Sequence, residues 1–184
     1  MNIVSTTLPG VFIVEPKVHR DPRGWFLETY HVDKYTYGGK PLLFVQDNCS
    51  SSVQGTLRGL HAQMSCPQGK LVRVARGEVF DVAVDIRRGS PTFASWTGVT
   101  LTAENFKQIF IPPGFAHGFC VLSNNAEVEY KCTDVYTPGD EITIAWNDTQ
   151  IGIQWPINSP LLSSKDAAGQ SLEILWDKLP TYQV

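Results

Sequence analysis

Short runs rich in Val, Ile, Phe and Trp recur along this chain between Gly, Pro, Asn and Asp, and that rhythm narrows the fold more than any other feature. Segments of strand length closed off by turn formers describe an antiparallel sandwich or barrel. The pattern predicts strands over 11–15, 25–31, 42–48, 57–63, 70–75, 79–86, 95–101, 106–111, 118–122, 127–136 and 142–146. These are too many for one flat sheet. Helical signals are few. One short candidate covers 32–37, where Gly38 and Gly39 would stop it. Another starts near Ser163 or Ser164, either of which can cap a turn through Lys165, Asp166, Ala167 and Ala168. The expected class is all-β with a short helical C-terminal appendage.

With 184 residues the chain suits one well-packed domain and is short for two, so residues 1–184 are expected to form a single domain. A net charge of -3 offers no basic field for nucleic acid or an anionic membrane, so a phosphorylated ligand must be held by a few local cations. The first seven residues lack a basic flank followed by an apolar core, and no window approaches the ~20 apolar residues that span a bilayer. A cytoplasmic location is expected. Cys49, Cys66, Cys120 and Cys132 are widely spaced with no Cys-x-x-Cys pair, which reads as free thiols.

Two histidine runs carry the chemistry. Arg58-Gly59-Leu60-His61-Ala62-Gln63 ends a strand, and Pro112-Pro113-Gly114-Phe115-Ala116-His117 is a Pro-x-Gly-x-x-His turn. A β-barrel that holds a divalent metal commonly supplies His-x-His at the first position. Here Gln63 stands where the second imidazole would be, and two imidazoles with an amide make a poor divalent site. No metal is expected. Strand parity puts Leu57, Gly59, His61 and Gln63 on one face and Arg58, Leu60 and Ala62 on the other. It also turns Ala126, Val128, Tyr130 and Cys132 away from Glu127, Glu129 and Lys131.

A histidine near neutrality takes a proton, a tyrosine returns one, and a lysine holds the negative charge between the two events. His61, Tyr130 and Lys70 together thus describe proton abstraction beside a carbonyl. Buried, hydrogen-bonded histidines and a core tyrosine are the plainer reading of each residue alone. Arg23 and Arg58 each read singly as surface arginines; together with Lys70, in an acidic chain, they read as a pyrophosphate clamp. Parity assigns Arg58 and His61 to opposite faces, so either Gly59 allows a bulge or Arg58 acts at an edge. Asp81 and Asp85, like Glu127 and Glu129, read as solvated faces. Asp166 reads as a cap-region aspartate able to fold back on an imidazole.

Over nearly its whole length the chain resembles the dTDP-4-dehydrorhamnose 3,5-epimerase family, cupin-type jelly-roll barrels of nucleotide-sugar metabolism. The motifs that carry the resemblance run from Asp21 to Glu28, Phe44 to Ser50, Leu57 to Gln63, Gln68 to Arg73, Gly77 to Asp85, Pro112 to Phe119 and Trp146 to Asp148. The resemblance implies that His61 is the base, Asp166 its dyad partner, Tyr130 the acid on the opposite sugar face and Lys70 the holder of the enolate. It implies that Arg23, Glu28, Gln46, Asp47, Asn48, Arg58, Lys70, His117, Glu141 and Lys165 contact a dTDP-sugar, with Phe26 or Tyr136 stacking near the thymine. It further implies a homodimer that shares some contacts between chains and uses no metal or organic cofactor. Ala62 replaces an aromatic and Trp25 a phenylalanine, departures that leave every proposed proton carrier in place. The implied reaction inverts C3 and C5 of dTDP-4-dehydro-6-deoxy-D-glucose. A single-centre epimerase, a non-catalytic sugar binder and a metal-dependent oxygenase are the alternatives.

Overall fold

The computed structural model describes residues 1–183. Its strands run in chain order β1 Asn2–Ser5, β2 Phe12–Glu15, β3 Val18–Asp21, β4 Gly24–Leu27, β5 Thr36–Tyr37, β6 Lys40–Pro41, β7 Gln46–Val53 and β8 Leu57–Gln63. They continue with β9 Lys70–Arg76, β10 Glu78–Asp85, β11 Trp96–Thr102, β12 Gln108–Ile111, β13 Phe115–Val121, β14 Asn125–Cys132 and β15 Glu141–Thr143. Two short helices follow, α1 Ser164–Ala167 and α2 Leu172–Leu175, then a 3-10 turn over Trp176–Lys178.

A six-stranded sheet has the order β1-β2-β12-β9-β14-β7 and a five-stranded sheet the order β11-β10-β13-β8-β15. Alternation gives each sheet an inner and an outer face. Val72, Val128 and Ile109 of the first sheet meet Ala83, Phe115 and Phe119 of the second in one core between them. Leu60, Val82 and Val84 point the other way, where Leu172, Leu175 and Leu179 of the C-terminal appendage cover them. Phe12, Val14 and Phe110 on the outside of the six-stranded sheet pack under Tyr35 and Leu42. The result is the all-β fold with a short helical appendage that the strand pattern predicts, in the cupin-type jelly-roll form that the resemblance implies.

Three expectations fail for physical reasons. Residues 32–37 form no helix: Asp33 and Lys34 lie in a turn, and Thr36–Tyr37 pairs with Lys40–Pro41. Gly38 and Gly39 take φ of 57° and 75°, the double left-handed geometry of a tight hairpin turn, so they close a hairpin rather than stop a helix. The expected 42–48 strand begins only at Gln46, because Leu42 and Phe44 pack as cover with Phe12, Val14 and Phe110. Asp81 and Asp85 are not on a solvated face. Both are fully buried, pointing inward with Val79 and Ala83 from a strand held on both edges. Asp85 is compensated by Arg87, Ser90 and Thr92.

Candidate active site

At one end of the inner space lies a cavity of about 320 Å³, and His61 stands on its wall. On β8, His61 has His117 of β13 directly opposite on one side and Thr143 of β15 on the other. Arg58 pairs with Phe119, so two steps along β13 answer three along β8. That bulge returns the Arg58 side chain to the inner face beside His61. Gly59 makes it possible: its φ is 124°, and a Cβ there would stand 2.5 Å from the Gly118 backbone. β15 flanks β8 only along 61–63, so Arg58 also stands where that side of β8 has no strand partner.

Asp166 reaches His61 from α1. Its Oδ1 lies 2.6 Å from His61 Nε2 and accepts from the Gly59 N–H at 3.3 Å. Ser163 caps the helix by accepting from the Asp166 N–H, while its hydroxyl donates to Asp166 Oδ2 at 2.6 Å. Asp166 is therefore both a cap-region residue and the imidazole's partner. Burial pushes its carboxyl up, but hydrogen bonds from His61 and Ser163, attraction to His61 and the Gly59 N–H outweigh that and hold it at about 2. On the other side of the ring, His61 Nδ1 lies 3.4 Å from Glu141 Oε1, which also accepts from Lys165 Nζ at 2.6 Å.

Across the cavity, β9 and β14 of the six-stranded sheet present Lys70 and Tyr130. Tyr130 lies on the inward face that alternation predicts, with Ala126 and Val128. Burial pushes the Lys70 ammonium below its ordinary value, opposed by Cys132, Glu141 and Asp81. Burial pushes the Tyr130 phenol up, with Cys132 and Glu141 adding to it and Arg58 opposing. Gln46, Asn48, Arg58, His117, Tyr136, Glu141 and Lys165 also line this cavity. Four expected contacts do not. Asp47 pairs with Lys131 at 2.9 Å on the outer face. Arg23 and Phe26 stand exposed on the β3–β4 hairpin, with Arg23 against Asp21, and Glu28 pairs with Lys34 at 2.7 Å.

Residues 5–173 match the model of the family described as dTDP-4-dehydrorhamnose 3,5-epimerase. The chain belongs to this epimerase family. It is 54% identical over 172 residues to the dTDP-4-dehydrorhamnose 3,5-epimerase of Shigella flexneri, with 92% of this chain and 95% of that one covered. The Neisseria gonorrhoeae enzyme of the same name is 55% identical over 172 residues, covering 93% of this chain. There the chain spans about half, 52%, of its relative's length. A Legionella pneumophila dTDP-6-deoxy-D-glucose-3,5-epimerase, solved in complex with dTDP-4-keto-L-rhamnose, superposes with a TM-score of 0.95 at 50% identity. That match covers 100% of this chain and 99% of the other.

Within this epimerase fold, sequence reasoning passed over Asp81, whose carboxylate lies 2.9 Å from His117 Nε2. The signal was present: Val79-Phe80-Asp81-Val82-Ala83-Val84 is apolar on both faces, and a carboxylate inside such a run must be buried and paired. Gln63 proves to be a brace. Its amide donates to the carbonyls of Cys66 and Val135 and accepts from the Thr137 N–H, tying two loops to the cavity rim. Ser163 was visible as a cap but not as a donor to Asp166.

Proposed function

We propose that the protein inverts C5 and C3 of dTDP-4-dehydro-6-deoxy-D-glucose, giving dTDP-4-dehydro-L-rhamnose, in nucleotide-sugar metabolism. One observation carries the reading: His61, braced by Asp166, and Tyr130 belong to opposite sheets and face one cavity. An acid and a base so separated address the two faces of one sugar ring, which is what inversion requires.

In the proposed reaction the C4 ketone acidifies the neighbouring hydrogens. His61 takes the proton, the C–H electrons move into an enolate, and the C4 oxygen carries the charge. Lys70 donates to that oxygen; a fixed donor of this kind contributes about 3 to 4 kcal/mol in the transition state. Tyr130 then protonates the carbon from the other face. Positioned proton transfers of this sort are worth roughly 100-fold to 10,000-fold each. Asp166 keeps one imidazole nitrogen as a donor, leaving the other basic. We assign Arg58, Lys165, Gln46, Asn48 and His117 to binding the nucleotide sugar and Tyr136 to stacking on the thymine.

The reading includes a homodimer acting in the cytoplasm, each chain serving as a single domain. In it, Arg23, Phe26 and Glu28 serve the partner's site, which accounts for an arginine and an aromatic standing exposed on a hairpin away from this protomer's cavity. It uses no metal or organic cofactor.

Proton NMR of the substrate incubated with the protein in deuterium oxide tests the reaction. Deuterium entering at both C3 and C5 is expected. Label at one centre alone would select a single-centre epimerase, and no label would overturn both.

A further inference from the structure

We propose that Glu141, backed by Lys165, is the proton exit of His61: it takes the abstracted proton from the imidazole and passes it to solvent, resetting the base between the two inversions. This rests on the double-epimerase reading and follows from a requirement within it. After one inversion His61 carries a proton it did not have and Tyr130 lacks one. The second abstraction needs a neutral His61.

The geometry sets a carboxylate beside the nitrogen that holds that proton. His61 Nε2 is committed to Asp166 at 2.6 Å, so Nδ1 is the nitrogen that receives the sugar's proton. Asp166 itself, held at about 2, is too weak a base to keep a proton. Among the described residues the carboxylate facing Nδ1 is Glu141, with Oε1 at 3.4 Å. Strand register puts it there: Thr143 is opposite His61, so Glu141 is the diagonal same-face neighbour on the adjoining strand. The same Oε1 lies 2.6 Å from Lys165 Nζ, and the Lys165 side chain is 50% exposed. The route runs from a largely buried imidazole, through a carboxylate 14% exposed, to bulk water.

The steps balance. The C–H bond breaks and an N–H forms at Nδ1; imidazolium then attracts the carboxylate and closes a separation slightly longer than a hydrogen bond. The proton moves to Oε1, giving a neutral carboxylic acid and a neutral imidazole. Water takes the proton from Glu141, and the Lys165 ammonium favours the restored carboxylate. Tyr130 regains a proton from water, so one proton leaves and one enters. Besides His61 and Lys165, the charged and titratable groups facing Glu141 are Lys70 and Tyr130 from the other sheet. Asp166 is on the far side of the imidazole.

The test is a single-turnover reaction in deuterium oxide with enzyme in excess, following label at each sugar carbon. Wild-type protein should label both centres with little singly labelled sugar. In Glu141→Gln the second label should slow at least about 10-fold more than the first, so that singly labelled sugar accumulates. In Glu141→Ala, added formate should restore the second label by supplying the missing carboxylate. Equal slowing of both labels, a rise in KM with the order of labelling unchanged, or no rescue by formate would overturn the relay while leaving the epimerase reading intact. Wild-type protein that labels neither centre would bring down both.

Discussion

Two histidine–carboxylate pairs stand side by side in this barrel, and their differences say more than their likeness. His61 and His117 are direct cross-strand neighbours, each with Nε2 on an aspartate, at 2.6 and 2.9 Å. The His61 side chain is 28% exposed, and its Asp166 comes from a short helix outside the sheets, held ionised by three donors. His117 is 8% exposed, and its Asp81 comes from the adjoining strand, fully buried, where burial pushes the carboxyl up. One pair is built to keep a charged carboxylate behind an imidazole that can reach a ligand. The other fills an interior. The same two side chains thus give a proposed base or a proposed binding contact according to where the carboxylate is anchored.

The sharpest way to break that contrast is to remove each imidazole. His61→Ala is expected to lower hydrogen exchange at C3 and C5 by roughly 10,000-fold, the upper range for a positioned proton carrier. His117→Ala should mainly raise KM. Exchange rates from NMR in deuterium oxide decide it: equal losses in kcat would erase the distinction between the pairs.

Stability should divide the carboxylates the other way. Asp81→Ala leaves a buried imidazole without its partner and a small void, a cost of roughly 2 to 3 kcal/mol. Asp166→Ala keeps the helix cap, whose donor is its own backbone N–H, and loses the side-chain bonds from His61, Ser163 and the Gly59 N–H, about 1 kcal/mol at neutral pH. Urea denaturation at pH 7 measures both. A larger loss for Asp166→Ala would mean that the open pair, not the sealed one, supports the fold.

How far the contrast could be read from sequence depends on the strand pattern. Alternation along 126–132 put Tyr130 inward, and the cap at Ser163 placed the helical turn that carries Asp166. What alternation cannot supply is whether a polar face meets water or a second sheet, and Asp81 was misread for that reason. Nor does it survive a bulge. The extra residue at Gly59 and Leu60 resets the parity of β8, so Arg58 joins His61 although counting by twos separates them. Glu141 was named only through resemblance; its place against Nδ1 depends on how β15 registers with β8, which sets Glu141 opposite Gln63, far away in sequence. The hairpin over Gly38 and Gly39 was misassigned because paired glycines end helices and close hairpins alike.

Tyr130 tests which pair serves which face of the sugar. Its ring lies 6.5 Å from that of His117, so the sealed pair borders the proposed acid. Tyr130→Phe should slow inversion by roughly 100-fold while loss of the substrate hydrogen to solvent falls much less. Comparing washout from deuterated substrate with product formation separates the two. Equal losses would mean that acid and base do not act from opposite sides.

The smallest expected effect is a difference of sign in acid. Asp166 has its folded value lowered to about 2, so its contribution to stability is present above the ordinary carboxylate range and is lost as pH falls from about 4 through about 2. Asp81 is raised by burial despite His117, so its contribution is present below the ordinary carboxylate value and is lost as pH rises through its higher folded value. Measured by urea denaturation from pH 2 upward, the stability of wild-type protein relative to Asp166→Asn should therefore grow with pH. Relative to Asp81→Asn it should shrink. Parallel curves would mean that both carboxylates are in the same electrostatic state, and the distinction between an ionised brace and a buried filler would be lost.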